Sequence, residues 1–346
     1  MEPPLLQQLS PRKLVVFRAL QLGDMLCAVP ALRALRAGCP QARVTLVGLP
    51  WASDFAARFA AYVDDFVAFP GFPGLPEREA DIAALPGFLA DLQARRFDLA
   101  VQMHGDGRRT NVVTMLFNAA RTTGFHPPDT DATPDFLPYP AQGSEIERLL
   151  ALTRFLGAPD PGSALEFPLL APDRKELAAS GLAEGLTPGG YLCLHPGARA
   201  PDRRWPPECF AAAGDVLHAA TGLPLVLTGS AAETGVTAAV QAALRTPARD
   251  AAAPIGVGAL ATLLSGARLV LSNDTGVAHL CAALRVPSVI VFRNSELARW
   301  AHQDRSLHRA VWAPAGAAPD EGLGEVLAQA TELLAGSTTP SVGQSG

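Results

Sequence analysis

Short runs of apolar and β-branched residues alternate with segments of helical spacing along this chain, and the alternation is played out twice. The first run, Leu14-Val15-Val16-Phe17, is followed by Gly23-Asp24. Apolar residues then recur at helical intervals (Leu26, Val29, Leu32, Leu35) before a second run, Val44-Thr45-Leu46-Val47. Strand, glycine-containing turn, helix and strand make a βαβ unit, and such units build parallel sheets. Further strands are expected at 66–69 and 97–101, with helices at 88–96 and 144–156, the second stopped by Gly157, Pro159 and Pro161. Residues 127–140, rich in Pro, Asp and Thr, read as a long loop.

The stretch 157–190 is punctuated by Pro and Gly and reads as the connection between domains. The pattern then resumes, with strands at 191–194, 223–227, 269–272 and 288–292 and helices at 207–220, 233–244, 260–265, 276–284 and 321–334. The expected fold class is therefore α/β, two Rossmann-like parallel-sheet lobes facing a central cleft. The first lobe is placed at 1–165 and the second at 180–335, with a Ser-, Thr- and Gly-rich disordered tail at 336–346. Open sheets of this kind bind ligands at the carboxyl ends of their strands.

Composition narrows the function. A chain of 346 residues suits two domains, and 49% hydrophobic against 18% charged residues argues against disorder. The net charge of -5 disfavours a nucleic-acid partner. Five cysteines, an odd number with no C-x-x-C pair, predict neither a disulfide framework nor a zinc site, and so a cytoplasmic protein. The amino terminus lacks the pattern of a signal peptide, and the longest apolar runs fall far short of the ~20 residues of a membrane helix. A lipid-linked partner would then be met peripherally.

Four strand ends concentrate the chemistry. Asn273-Asp274-Thr275-Gly276 joins a strand to a helix whose first amides are unpaired and carry partial positive charge, a seat for phosphate. His279 follows one turn in. The same residues also suit a plain helix cap, with Asp274 or Thr275 the capping group and His279 a core histidine. His195-Pro196-Gly197-Ala198 forms a turn that opens backbone N–H groups, and Arg203-Arg204-Trp205 downstream offers a cation or a solvated basic loop. Thr228-Gly229-Ser230 ends another strand. Glu233 beyond it is placed to accept from ribose hydroxyls, or simply starts a helix. In the first lobe, Gly23-Asp24 puts a carboxylate where it can serve as a general base or as a cap.

These residues together resemble the ADP-heptose:lipopolysaccharide heptosyltransferase family, glycosyltransferase family 9, from about Lys13 to Trp312. The resemblance rests on Gly23-Asp24 with Pro30-Ala31-Leu32, on the His195-Pro196-Gly197 turn, on Arg203 two before Trp205, on Ser230 and Glu233, and on Asp274-Thr275-Gly276-x-x-His279. It implies a GT-B fold and an inverting transfer from a nucleotide-sugar donor, ADP-linked in the family, onto a lipopolysaccharide-core or related glycan or glycolipid acceptor. It implies Asp24 as the general base and Glu233 as the ribose contact. Gly197 and Ala198 would be phosphate contacts, and Asp274, Thr275, Gly276 and His279 would contact the diphosphate and sugar. Arg203 stands where the family usually has Lys, a planar fork in place of a point cation. Gly23, Arg108, Arg109 and Arg121 are candidate acceptor contacts, the arginines because such an acceptor is anionic, although the three arginines equally suit solvated positions around a loop. No metal and no tightly bound cofactor are expected, and the location implied is cytoplasmic, at most peripheral on the inner membrane. The competing readings are a nucleotide-sugar epimerase or hydrolase on the same scaffold, or a non-catalytic nucleotide-sugar-binding protein.

Overall fold

The computed structural model describes residues 3–131, 133–314 and 322–336. It divides into two compact units, Met1–Pro168 and Leu169–Gly346. The tail expected from 336 lies, apart from Gly336, outside the described residues, as does Glu321.

In chain order, unit 1 runs α1 (Leu5–Leu9), β1 (Lys13–Phe17), α2 (Leu22–Gly38), β2 (Arg43–Gly48), α3 (Ala52–Arg58), β3 (Asp65–Ala68) and α4 (Leu85–Ala94). It continues with β4 (Leu99–Gln102), α5 (Thr110–Met115), β5 (Arg121–His126), β6 (Phe136–Pro138) and α6 (Glu145–Phe155). The sheet order is β3-β2-β1-β4-β5-β6, every pair parallel. Strand order therefore reverses between β1 and β4, the point at which doubly wound sheets open a crevice at their carboxyl edge. Leu14 to Phe17 are fully buried, as a central strand covered on both faces must be. Phe17 anchors the core, edge-on to Phe69 and Phe117 at 5.1 and 5.7 Å.

Unit 2 runs α7 (Ala171–Ser180), β7 (Leu192–His195), α8 (Pro207–Thr221), β8 (Leu225–Gly229), α9 (Thr234–Ala243), β9 (Ala248–Ala252) and α10 (Val257–Ser265). There follow β10 (Leu269–Asn273), α11 (Gly276–Leu284), β11 (Ser288–Phe292), α12 (Leu297–Trp300), β12 (His308–Trp312) and α13 (Leu323–Gly336). Its sheet, β12-β11-β10-β7-β8-β9, is also parallel throughout and winds in the same way, reversing between β7 and β10. Leu194, Trp205, Phe210, Leu271 and Val291 share its core.

The expected α/β class with two parallel sheets is what the structure has. Two readings need correction. The long loop at 127–140 contains β6, which pairs with the end of β5. The connecting stretch 157–190 contains α7, closed by Gly181 in the left-handed region at φ 69°. All five cysteines are buried thiols, Cys209 included. Among the described residues, no helix is long and apolar enough to cross a membrane, and no group of three or more His, Cys, Asp or Glu could hold a metal ion.

Candidate functional site

In unit 2 the nine candidate donor residues gather at the carboxyl edge of the sheet, after β7, β8 and β10. Ser272 pairs with His195, so the turns that follow β10 and β7 begin at one level. The Asp274-Thr275-Gly276 turn leads into α11. Thr275, not Asp274, is the cap: its hydroxyl oxygen accepts from the Val277 N–H at 3.1 Å. That bond uses a lone pair and leaves the hydroxyl hydrogen available to donate. Thr275 and Gly276 stay partly accessible at the start of the helix, whose leading amides attract an anion. Asp274 is 4% exposed, and its Oδ2 lies 3.7 Å from Nη1 of Arg203. The pair gives the buried carboxylate a counter-charge and sets the half-exposed Arg203 guanidinium beside it.

Asn273 ties these pieces together. Its fully buried amide accepts from the Trp205 N–H at 2.9 Å and donates to the Pro196 carbonyl at 2.8 Å. The segment 196–205 is thereby laced to the end of β10. Arg204 Nε closes the loop on the Ala198 carbonyl at 2.8 Å, and Asn294 donates to Asp202 at 2.6 Å. Trp205 is buried, edge-on to Phe210 at 5.3 Å.

Glu233 folds back on Ser230, whose N–H and hydroxyl both donate to Oε2 at 2.8 Å. Its other oxygen lies against Gly197, so closely that a Cβ at Gly197 would overlap the carboxylate. Burial pushes the Glu233 carboxyl up, but the Ser230 bonds and neighbouring positive charge outweigh it and hold the group below its ordinary value. His195 is buried beside it with Nδ1 3.1 Å from the Thr228 hydroxyl, and burial lowers its pKa. His279, 4% exposed, stands edge-on to Trp300 at 5.9 Å and to His302 at 4.9 Å.

In unit 1, α2 begins at Leu22 with Gln21 as its cap position, so Asp24 sits inside the first helical turn and is not the cap. Gly23 is buried there and Asp24 is partly exposed. Arg18, at the end of β1, is 1% exposed and donates through Nε and Nη2 to the main-chain carbonyl of Asp24 at 3.1 and 2.8 Å. His104, at the end of β4, accepts from the Ala19 N–H at 3.3 Å through Nδ1 and meets Glu77 at 3.0 Å through Nε2.

The arginines do not converge. Arg108 and Arg109 follow β4 and so lie toward the carboxyl edge. Arg108 is paired with Asp129 at 2.5 Å, and Arg109 donates to the Gly74 carbonyl. Arg121 opens β5, in register with Leu99, and is held by Asp135 at 2.6 Å. It therefore sits at the amino edge of the sheet, away from Asp24, and cannot join Arg108 and Arg109. Arg18 and His104, just past β1 and β4, belong to no motif in the sequence, whereas Asn273 and His195 stand within the Asn273-Asp274-Thr275-Gly276 and His195-Pro196-Gly197 turns.

Residues 90–328, more than half of the chain, match the family model for glycosyltransferase family 9 (heptosyltransferase). Among solved structures, the glycosyl transferase family 9 protein from Veillonella parvula is similar at a TM-score of 0.78 and 19% identity, covering 94% of this chain and 98% of that one. The E. coli ADP-heptose LPS heptosyltransferase II gives 0.72 and 20%, covering 94% and 100%. The E. coli heptosyltransferase WaaC with ADP gives 0.66 and 18%, covering 93% and 99%. At such identities these likenesses speak for the fold. No curated protein sequence matches the chain.

Proposed function

The chain belongs to glycosyltransferase family 9, and from that premise we propose that it is an inverting transferase moving a heptosyl group from an ADP-linked donor onto a hydroxyl of a lipopolysaccharide-core acceptor. The observation that carries the reading is the Asp274-Thr275-Gly276 turn at the point where strand order reverses, with the Arg203 guanidinium 3.7 Å from Asp274. An anion seated there meets helix amides, a hydroxyl donor and a cation together.

In the proposed reaction the acceptor oxygen attacks the anomeric carbon from the face opposite the diphosphate. A new carbon–oxygen bond forms as the bond to the diphosphate oxygen breaks. The acceptor proton passes to the Asp24 carboxylate, and the electron pair leaves with the nucleoside diphosphate. The amino end of α11, Thr275 and Arg203 stabilise charge as it grows on that leaving group. Glu233 receives the ribose hydroxyls, Gly197 and Ala198 lie along the phosphates, and His279 borders the sugar. Arg108 and Arg109 are proposed to meet the anionic acceptor. The proposed location is the cytoplasm, with peripheral contact at the inner membrane where such an acceptor is presented.

The test is transfer by the purified enzyme from a panel of nucleotide sugars to core acceptors, with the anomeric configuration of the product read by NMR. Asp24→Asn is expected to lower kcat by about 10²–10⁴-fold with donor KM little changed. Wild-type turnover in that variant would remove Asp24 from the base role. Turnover of donor without acceptor, giving an epimer or free sugar, would replace the transferase reading.

A further inference from the structure

Arg18 is among the largest fully buried side chains of the protein, and it is charged. Its main-chain N–H continues the ladder of β1 to the Val47 carbonyl at 3.0 Å, so its Cα is fixed in the sheet. From there the guanidinium reaches three partners on three other elements. Nε and Nη2 take the carbonyl of Asp24 in the first turn of α2. Nη1 takes the carbonyl of Met103 at the end of β4. Nη2 also meets Oε1 of Glu145 at 3.1 Å, in the first turn of α6, where the side chains are 1% and 4% exposed. α6 is itself fixed at that end by Ser144, whose hydroxyl accepts from the Glu147 N–H at 3.2 Å. The next residue along, Ala19, is held by His104, and His104 by Glu77.

A charge pair is a poor way to gain stability in such a place, because the desolvation of two ions consumes most of their attraction, and apolar side chains of equal volume serve as well or better. What it supplies is direction. Two N–H groups converging on one carbonyl fix the position and tilt of the Asp24 peptide unit, and with it the direction in which the carboxylate leaves the helix. Only a fork-shaped donor can hold that carbonyl, the Met103 carbonyl and a carboxylate at once. We infer that Arg18, held by Glu145, is a positioning residue that sets the orientation of the Asp24 carboxylate. The inference rests on the assignment of Asp24 as the base.

The experiment compares Arg18→Lys and Glu145→Gln, each alone and combined with Asp24→Asn, by steady-state kinetics and thermal melting. The single variants are expected to lose ~10–100-fold in kcat, the scale of a base displaced by about 1 Å, with donor KM within about twofold of wild type. If Arg18 acts through the carboxylate, the loss disappears in the Asp24→Asn background. A loss of equal size in both backgrounds overturns the inference, because a general structural defect does not depend on what stands at 24. So does wild-type kcat in a folded Glu145→Gln protein, the variant that decides the matter if Arg18→Lys does not fold. Should Asp24→Asn itself turn over at the wild-type rate, the base assignment fails first and takes the inference with it. That result is separate from either of the others.

Discussion

At Gly197, backbone and carboxylate compete for one small volume. A methyl group there would force Glu233 off its two Ser230 bonds. Gly197→Ala should therefore raise donor KM by roughly tenfold, about 1.4 kcal/mol of binding, with kcat at saturating donor almost unchanged. A donor titration checks this, and an unchanged KM would detach Glu233 from the donor. A second prediction concerns the buried histidines beside α11. Burial takes His308 down to about 4, against the pull of Asp304, and holds His302 well below its ordinary value, with His279 and His308 adding to the effect. Between about pH 6.5 and 4 the unfolded chain binds protons that the native His308 does not, so stability falls as pH falls. The loss for His308 is on the order of 3 kcal/mol once pH is below both values. His308→Asn keeps a partner for Ser288 and removes the titration. Urea unfolding at pH 7 and pH 4.5 should show a smaller loss for the variant than for wild type. At this scale the sequence disclosed the Asp274-Thr275-Gly276 turn, because a glycine and a hydroxyl at a strand–helix joint are local signals. It could not disclose which of them caps the helix. Nor could it show that Asn273 bonds across 68 and 77 positions of chain, since nothing local records a partner so distant.

The elements were legible in proportion to how much of their stability is local. β1, β2, β10 and β11 are buried runs of β-branched and apolar residues, and α11 came out with its observed bounds. Of the edge strands, β3 is legible at 66–69, but β6, β9 and β12 are not. β9 is Ala-Arg-Asp-Ala-Ala and β6 is three residues ending in Pro138, neither with the composition of a strand; each is a strand because a neighbour offers it a ladder. β5 carries Gly124 in its middle, which weakens any strand pattern. α7 hid in a stretch read as punctuation, although its marks are ordinary: Asp173 accepts from the Leu170 N–H at 2.7 Å at the start, and Gly181 ends it. The same closing device gives a clean test at α8. Gly222 ends that helix at φ 70°, and a Cβ there would meet nothing within 4 Å. Gly222→Ala should therefore cost about 1 kcal/mol through backbone conformation alone and leave kinetics untouched. Chemical denaturation measures it, and a loss several times larger would mean that the turn does more than end the helix.

Across the whole molecule the same winding is used twice, and the two reversals of strand order carry different halves of the proposed chemistry: Asp24 by β1 and β4, the diphosphate turn by β7 and β10. Ligand binding should reveal that division. ADP at a hundred times its Kd should raise stability by about 2.7 kcal/mol. Hydrogen exchange should slow most at 195–205 and 273–279, and protection confined to unit 1 would overturn the assignment of the donor to unit 2. The pairing of Arg18 with Glu145 has a consequence in time as well. The two residues stand 127 positions apart. At about 5–20 residues per second, the ribosome delivers the second roughly 6–25 s after the first. Throughout that interval the nascent chain holds Arg18 without the carboxylate that pairs with it in the folded unit. On the proposed assignment, the residue that orients Asp24 gains its charged partner only when the last helix of the first unit is made.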